Sequence, residues 1–464
     1  MIALPGLNLG AQAPEPLNVP TTSATRTQEL SANTEYRFEV SFARSLAIKL
    51  VTGTAEYFGT ELAPATTYNF SGAKGAVFTW HGCKLEIGGE AESEYVAEET
   101  QMMSAANAHF ALEALRERAH QTRDAGPRVL VVGPENAGKT SLVKTLTAYA
   151  VKSGQQPMVV NLDPRQGMLS VPGSFTAAAF SSILDIEEGW GSSPISGPSP
   201  TPVKMPLVYH YGLRDAEEGT VFRPLVTRMA LAVTSRLEED PASKSAGFII
   251  DTPGAVAQGR AGVYENIEHI ISEFSVTTIL VLGSERLYSD LSRKYSNSAD
   301  AIAVVRLDKS GGCVDRSDAY MKALRHAQIR AYFFGNSEAG LAPHSQSAGF
   351  DELSIFRVKE GDCAGSDMQF NDGGDAYGGA AEDTIYERVT PSSEIVNKLL
   401  AITTAAPTDG HASIRDASVR GYLYVAEVDE GKKRVKLLAP QPGQVPSTAV
   451  VCGRWPEDVA SLVG

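Results

Sequence analysis

Cysteine is scarce in this chain: Cys83, Cys313, Cys363 and Cys452 are the only four, far apart and without a C-x-x-C pair. That spacing offers neither a zinc site nor a disulfide framework. Basic side chains are also the minority, 41 Lys and Arg against 55 Asp and Glu, for a net charge of −14. A general nucleic-acid coat needs dense Lys and Arg, so this balance excludes one while leaving room for a local basic groove. The eight histidines lack metal-ligand spacing, and lone ones such as His81 and His109 read as packed or surface residues. No apolar run approaches the length of a bilayer span. Met1-Ile2-Ala3-Leu4-Pro5-Gly6 has no basic n-region and no long apolar stretch, so no secretory signal is expected. The expectation is a soluble, intracellular protein of two to four domains, because 464 residues can bury several separate cores.

What is present begins with one octapeptide. Gly133-Pro134-Glu135-Asn136-Ala137-Gly138-Lys139-Thr140 fits G-x-x-x-x-G-K-[ST]. Before it, Arg128-Val129-Leu130-Val131-Val132 is a short β-branched run that reads as a buried parallel strand. After it, residues 141–152 carry Leu142, Leu146 and Ala150 at helical spacing. Strand, glycine loop and helix start together make an anion site, since loop N–H groups and the helix dipole converge on phosphate. Lys139 would reach the β- and γ-phosphates, and the Thr140 hydroxyl would ligate Mg²⁺. A nucleoside triphosphate is the expected ligand.

Three zones separate along the chain. Residues 1–105 are strand-rich: Tyr36-Arg37-Phe38-Glu39-Val40, Leu46-Ala47-Ile48-Lys49-Leu50 and Gly75-Ala76-Val77-Phe78-Thr79-Trp80 alternate apolar with polar residues. Turn signals at Thr52-Gly53, Phe58-Gly59 and His81-Gly82 recur at the roughly 8–12-residue spacing of a small β-sandwich. Residues 98–119 read as a helix carrying Met103, Ala106, Phe110, Leu112 and Leu115. Residues 106–335 alternate strands and helices, with Met158-Val159-Val160-Asn161-Leu162, Phe248-Ile249-Ile250, Thr278-Ile279-Leu280-Val281-Leu282 and Ile302-Ala303-Val304-Val305 as further strands. That alternation predicts an α/β fold, a parallel sheet with helices on both faces. Residues 336–464 return to short strands such as Arg420-Gly421-Tyr422-Leu423-Tyr424-Val425 and Arg434-Val435-Lys436-Leu437-Leu438, an α+β domain. The Ser/Pro-rich stretch 192–202 and the Gly/Asp/Ala-rich stretch 362–383, the latter with few large apolar residues to anchor it, lack the means to offset ordering entropy and read as mobile surface insertions.

Further chemistry clusters in the central zone. Phe248-Ile249-Ile250-Asp251 ends an apolar strand in a carboxylate, the form of a Walker B element that holds the Mg²⁺ shell; the other reading is a cap for the turn before Pro253-Gly254. Asp163 ends a strand at the edge where open α/β sheets place their sites. It either accepts a proton from an attacking hydroxyl or caps the Asp163-Pro164 turn, and the sequence leaves both open. Lys309-Ser310-Gly311-Gly312 with Arg316 suits a mobile lid that sets a guanidinium over the γ-phosphate; a surface arginine on a helix is the alternative. No N-K-x-D element for guanine follows the strands, which argues against a switch GTPase.

Several motifs recur in one order: Gly-Pro-x-x-x-Gly-Lys-Thr, Asn161-Leu162-Asp163 with Gln166, Val171-Pro172-Gly173, Tyr209-His210-Tyr211-Gly212, Ser284-Glu285-Arg286-Leu287-Tyr288 and Lys309-Ser310-Gly311-Gly312. Phe58-Gly59-Thr60-Glu61-Leu62 and Phe78-Thr79-Trp80-His81-Gly82-Cys83 precede them. This set resembles the Clp subunit of the eukaryotic mRNA cleavage and polyadenylation machinery, fungal type, within the polynucleotide 5′-hydroxyl kinase family. The resemblance spans nearly the whole chain apart from the acidic insertion. It implies a β-rich N-terminal domain, a P-loop ATPase-like centre and an α+β C-terminal domain. It places ATP contacts on Glu35, Lys74, Gly133, Asn136, Ala137, Gly138, Lys139, Thr140 and Ser141. Glu35 and Lys74 otherwise read as solvated charges. It also implies nuclear localisation, a scaffold partner that binds the RNA polymerase II C-terminal domain, other cleavage and polyadenylation factors, and at most indirect RNA contact.

The same resemblance raises the question of catalysis. Asp163 and Arg316 match catalytic positions of the active members. Those members also place a tryptophan just after the Walker B turn, where Ala255 stands here, so a stacking contact worth about 1–3 kcal/mol is missing. Their second lid arginine falls on Met321, with Lys322 expected to point elsewhere on its helix; losing such a cation costs about 10³-fold or more in rate. The expectation is an ATP-binding structural component with little or no turnover. An active ATP-dependent RNA 5′-hydroxyl kinase is the alternative.

Overall fold

Alternation in the first zone folds into two antiparallel sheets packed face to face. Arg26–Leu30, Cys83–Gly89, Leu46–Gly53 and Thr67–Phe70 lie side by side in one; Thr60–Glu61, Glu56–Tyr57, Lys74–Thr79, Thr34–Glu39 and Ser93–Ala97 form the other. Tyr36, Phe38, Leu46, Ile48, Val77, Leu85 and Ile87 meet between them, all nearly inaccessible. The alternation hides one surprise. The polar face of Thr34–Glu39 is buried as well, with Glu35 5% and Arg37 6% exposed. The computed structural model describes residues 25–190, 206–216, 221–259, 262–295, 302–335, 340–359, 385–460 and 462. The N-terminal hexapeptide, the 192–202 and 362–383 insertions and Cys363 lie outside the described residues.

The central sheet runs Leu207–His210, Ser174–Ala179, Met158–Asn161, Phe248–Asp251, Arg128–Val132, Thr278–Leu282, Ala303–Leu307. The last five are parallel, and the P-loop strand sits between Phe248–Asp251 and Thr278–Leu282. Ser174–Ala179 and Leu207–His210 add two antiparallel strands at one edge that periodicity did not single out. The sheet is therefore mixed. Ser174–Ala179 ends in three alanines, which carry little strand signal.

The helix expected over 98–119 occupies Met102–Thr122, but a different face is buried. Ala105, Ala106, His109, Leu112, Arg116 and Ala119 point inward, while Met103, Phe110 and Leu115 are 55%, 67% and 43% exposed. Small residues win this face because the helix packs closely. Arg116, 1% exposed, reaches past them to donate from Nε to the Ala246 carbonyl at 3.0 Å.

The C-terminal sheet runs His344–Gly349, Arg434–Ala439, Val419–Asp429, Leu399–Thr403, Ala449–Cys452, Ser354–Val358, Tyr386–Val389. Its apolar side merges with the central core: Tyr422, Tyr424, Phe356 and Tyr386 share one cluster with Phe175, Phe222 and Tyr211. The Tyr332 hydroxyl accepts from the Tyr422 amide at 3.0 Å across that junction. His210 lies in the same seam, its ring edge-on to Tyr422 and its Nε2 without a partner.

Burial holds the His210 imidazole far below its ordinary range, at about 4. The unfolded chain takes up this proton below about pH 6.5 while the folded chain does not. Stability should therefore fall as pH drops from about 6.5 towards 4, by up to about 1.4 kcal/mol per pH unit from this group. Thermal melts of wild type and His210→Gln between pH 7 and pH 4.5 check it. The variant should lose less on acidification, and parallel losses in the two proteins would show that His210 is not the cause.

Candidate functional site

The glycine loop 133–138 joins the strand Arg128–Val132 to the helix Lys139–Lys152, as the octapeptide requires. Gly138 adopts φ +90°, and a Cβ there would lie 2.7 Å from the Cys313 Sγ, so only glycine lets the loop at 309–313 close on it. Asn136 takes a left-handed φ of 55°, and its side-chain oxygen accepts from Arg316 Nε at 3.1 Å. Lys139 donates from Nζ to the Pro134 carbonyl at 2.8 Å. Burial lowers the ammonium's proton affinity, while Asp251 and Asp163 act to raise it. The helix N-terminus and this cation face the same space, an arrangement that favours a polyphosphate.

Asp251 supplies the metal test. The Thr140 hydroxyl donates to its Oδ2 at 2.6 Å, whereas Oδ1 is buried and has no partner. Burial raises this carboxyl to about 6, with Thr140 and Lys139 pulling the other way. A buried acceptor left empty next to a threonine hydroxyl fits a Mg²⁺ coordination shell or its waters, with phosphate oxygens completing it. Among the described residues no group of three His, Cys, Asp or Glu side chains could hold a metal by itself. Thr140 and Asp251 would hold the ion, and it would neutralise charge on the β- and γ-phosphates.

Asp163 caps its turn, one of the two readings the sequence left open. It borders the cavity, and its Oδ1 accepts from the Arg165 amide at 3.0 Å, capping the Pro164 turn. Gln166 donates to Oδ2 at 3.2 Å and, through its own Oε1, accepts from Arg316 Nη1 at 3.1 Å. Arg316 is thus held over the P-loop from both sides and is not a free surface side chain.

Residues 136–141, Asp163, Gln166 and Arg316 border one cavity of about 660 Å³, whereas Gly133 and Asp251 do not line it. Glu35 and Lys74, from the sandwich, border it too. Glu35 accepts from Arg37 Nε at 2.8 Å and from the Thr100 hydroxyl. Lys74 pairs with Glu39 and lies 5.2 Å over the Tyr320 ring, whose hydroxyl donates to the Gly72 carbonyl at 3.0 Å. Arg37, Tyr320, Arg165, Arg325 and Trp455 were not singled out as site residues. A single buried arginine on an alternating strand, or a tryptophan ten residues from the end, has no local pattern to mark it.

Two expectations change. Gly311 and Gly312 serve close approach: a Cβ on Gly312 would lie 2.8 Å from Arg37 Nε, and one on Gly311 would lie 2.7 Å from Glu99 Oε2. Lys322 does not point away; it borders the same cavity as Tyr320 and Met321, because the cavity wraps the first turn of the helix Asp318–Phe334. Ala255 does not border it, although Gly254 does.

The end of the cavity beyond Asp163 is rich in cations that are already paired. Arg165 bonds Glu135 and Asp215, and Arg325 bonds Glu457 from Nε at 2.9 Å and from Nη2 at 2.5 Å. Trp455 stacks on the Arg325 guanidinium at 4.4 Å and donates from Nε1 to the Pro164 carbonyl at 2.9 Å.

Three family models match the chain. One described as the mRNA cleavage and polyadenylation factor CLP1 P-loop matches residues 133–335, and one described as the N-terminal beta-sandwich domain of polyadenylation factor matches 29–119. A third, for the pre-mRNA cleavage complex II protein Clp1, matches 341–457. The mRNA cleavage and polyadenylation factor CLP1 of Phaeosphaeria nodorum is 68% identical, and that of Botryotinia fuckeliana 52%, each over the full length of both chains. A solved Clp1p, studied for its extended interface with Pcf11p and for ATP loss in a glycine-to-arginine point mutant, superposes with a TM-score of 0.82. That structure is 26% identical and covers 93% of this chain and 99% of its own.

The geometry gives a direct expectation. Lys139→Ala combined with Thr140→Ala removes the phosphate cation and the hydroxyl that bonds Asp251. Nucleotide recovered from the purified double variant should fall to background, and its melting temperature should drop below wild type by linkage if a triphosphate normally stays bound. Equal nucleotide content in the two proteins would contradict the P-loop reading.

Proposed function

This chain belongs to the family of mRNA cleavage and polyadenylation factor Clp1, and from that premise we propose that it is an ATP-binding structural subunit of the nuclear pre-mRNA 3′-end cleavage complex. It docks on a scaffold subunit of the Pcf11 type, which binds the RNA polymerase II C-terminal domain, and through it on other cleavage and polyadenylation factors. RNA is met indirectly. No helix among the described residues is long and apolar enough to cross a membrane.

The observation that carries this reading is the asymmetry of the cavity. At the phosphate side Lys139 is held by the Pro134 carbonyl, and Thr140 bonds Asp251, which keeps one carboxylate oxygen for a metal. ATP and Mg²⁺ fit that set. Glu35 and Lys74 border the other side, so the nucleotide joins the sandwich to the central domain as a staple. Beyond Asp163 the cations are neutralised from within, Arg165 by Glu135 and Asp215 and Arg325 by Glu457. An incoming polynucleotide would have to displace those carboxylates, and Ala255 and Met321 supply neither a stacking platform nor a second lid cation. Phosphoryl transfer depends on positioning and charge stabilisation, and both are weak here. One observation favours the kinase reading: Lys322 borders the cavity and could stand in for the missing cation.

Labelled ATP with a 5′-hydroxyl oligoribonucleotide decides between the two. The expected result is ATP recovered from the protein and no appreciable transfer. Robust turnover that disappears in Asp163→Ala would establish the kinase instead. In the same preparations Glu35→Ala or Lys74→Ala should each weaken ATP binding, although both residues lie far ahead of the P-loop. Wild-type affinity in calorimetry for both variants would mean that the sandwich does not touch the nucleotide.

A further inference from the structure

The cavity is bordered from the central domain by Lys139, Asp163 and Arg316 and from the sandwich by Glu35, Lys74 and the rings of Phe58 and Phe78. A triphosphate anchored at Lys139 therefore extends its base towards the sandwich end. Glu35 is the buried carboxylate at that end. Its Oε1 accepts from the Thr100 hydroxyl and its Oε2 from Arg37 Nε at 2.8 Å. With both oxygens accepting from donors, this carboxylate presents acceptor lone pairs to a ligand. Towards a purine it can bond an exocyclic amine and must repel an exocyclic carbonyl. A 6-amino purine offers the first, a 6-oxo purine the second.

Arg37 determines where those lone pairs point. Its Nη2 donates to the Glu99 carbonyl at 2.6 Å, to Glu99 Oε2 at 3.1 Å and to the Ser310 hydroxyl at 3.3 Å. The guanidinium is planar, so fixing Nη2 on three acceptors fixes the direction of Nε towards Glu35. Gly311 and Gly312 pack against this fork, and any side chain there would collide with it. The fork thus ties the base end of the cavity to the segment that carries Cys313 and Arg316 over the P-loop.

We propose that Arg37 is the positioning residue for base selection: it clamps Glu35 as a fixed acceptor, so that the site takes 6-amino purine nucleotides and rejects 6-oxo ones. The proposal rests on the reading of this cavity as the ATP site. A merely structural buried ion pair would hold the strand in place but would not discriminate between bases, and this difference makes the test decisive.

Calorimetric titration of the nucleotide-free full chain with MgATP and MgGTP measures the ratio of the two affinities. The wild type should favour ATP, and Arg37→Gln should lower that preference by about tenfold or more, because the site loses a fixed polar partner for the amine. Arg37→Lys keeps the charge but can reach Glu35 or the Glu99–Ser310 acceptors, not both, and should fall between the two. It carries the test alone if Arg37→Gln does not fold. Weaker ATP binding with an unchanged ATP-to-GTP ratio in the folded variants overturns the proposal and leaves Arg37 structural. Equal wild-type affinity for both nucleotides also overturns it while sparing the triphosphate site. Wild-type protein that binds neither overturns the ATP reading itself, and the proposal with it.

Discussion

One helix has two jobs, and much of the molecule follows from that. The N-terminus of Lys139–Lys152 closes the phosphate loop, while its flank docks on the sandwich. There Tyr149 bonds the buried Glu56, Lys152 pairs with Glu61, and the Lys144 ammonium lies 5.2 and 5.7 Å over the rings of Tyr57 and Phe58. Burial lowers the Lys144 ammonium to about 8, the mark of a cation held by ring faces with little water. A rigid helix cannot shift at one end only. Movement of the sandwich is therefore movement of the phosphate loop.

The far end of the cavity obeys the opposite rule. Where the nucleotide end leaves a carboxylate oxygen open beside Lys139 and Thr140, the end beyond Asp163 satisfies its cations internally. The Arg325–Glu457 pair is bidentate and Arg325 is 7% exposed, so removing either partner would strand a charge in a poorly hydrated place. Such a pair is expensive to open for an incoming ligand.

The legible parts of the site were those with local chemistry. A strand, a glycine loop and a helix start adjoin in sequence, so Gly133 to Ser141 could be placed from residues alone. Asp251 followed because it closes an apolar strand. The helix Met102–Thr122 was legible as a helix but not in its orientation, since close packing buried its alanines and left Phe110 outside. Of the two antiparallel strands that escaped, Ser174–Ala179 ends in three alanines, which carry little strand signal, and Leu207–His210 is only four residues long. Arg37 looked like the solvated half of an alternating strand. It is buried because Glu99 and Ser310, the latter 273 residues away, cover that face, and no local pattern encodes such a contact.

The Trp455–Pro164 hydrogen bond spans 291 residues of chain. During synthesis the sandwich, the phosphate loop and Asp163 leave the ribosome long before Trp455 and Glu457 do. Until then Arg325 has no carboxylate partner and the Pro164 turn has no indole against it. Arg165 finds Glu135 and Asp215 early in the chain, whereas Arg325 waits for Glu457 and Trp455, so its guanidinium is the last of these cations to be neutralised.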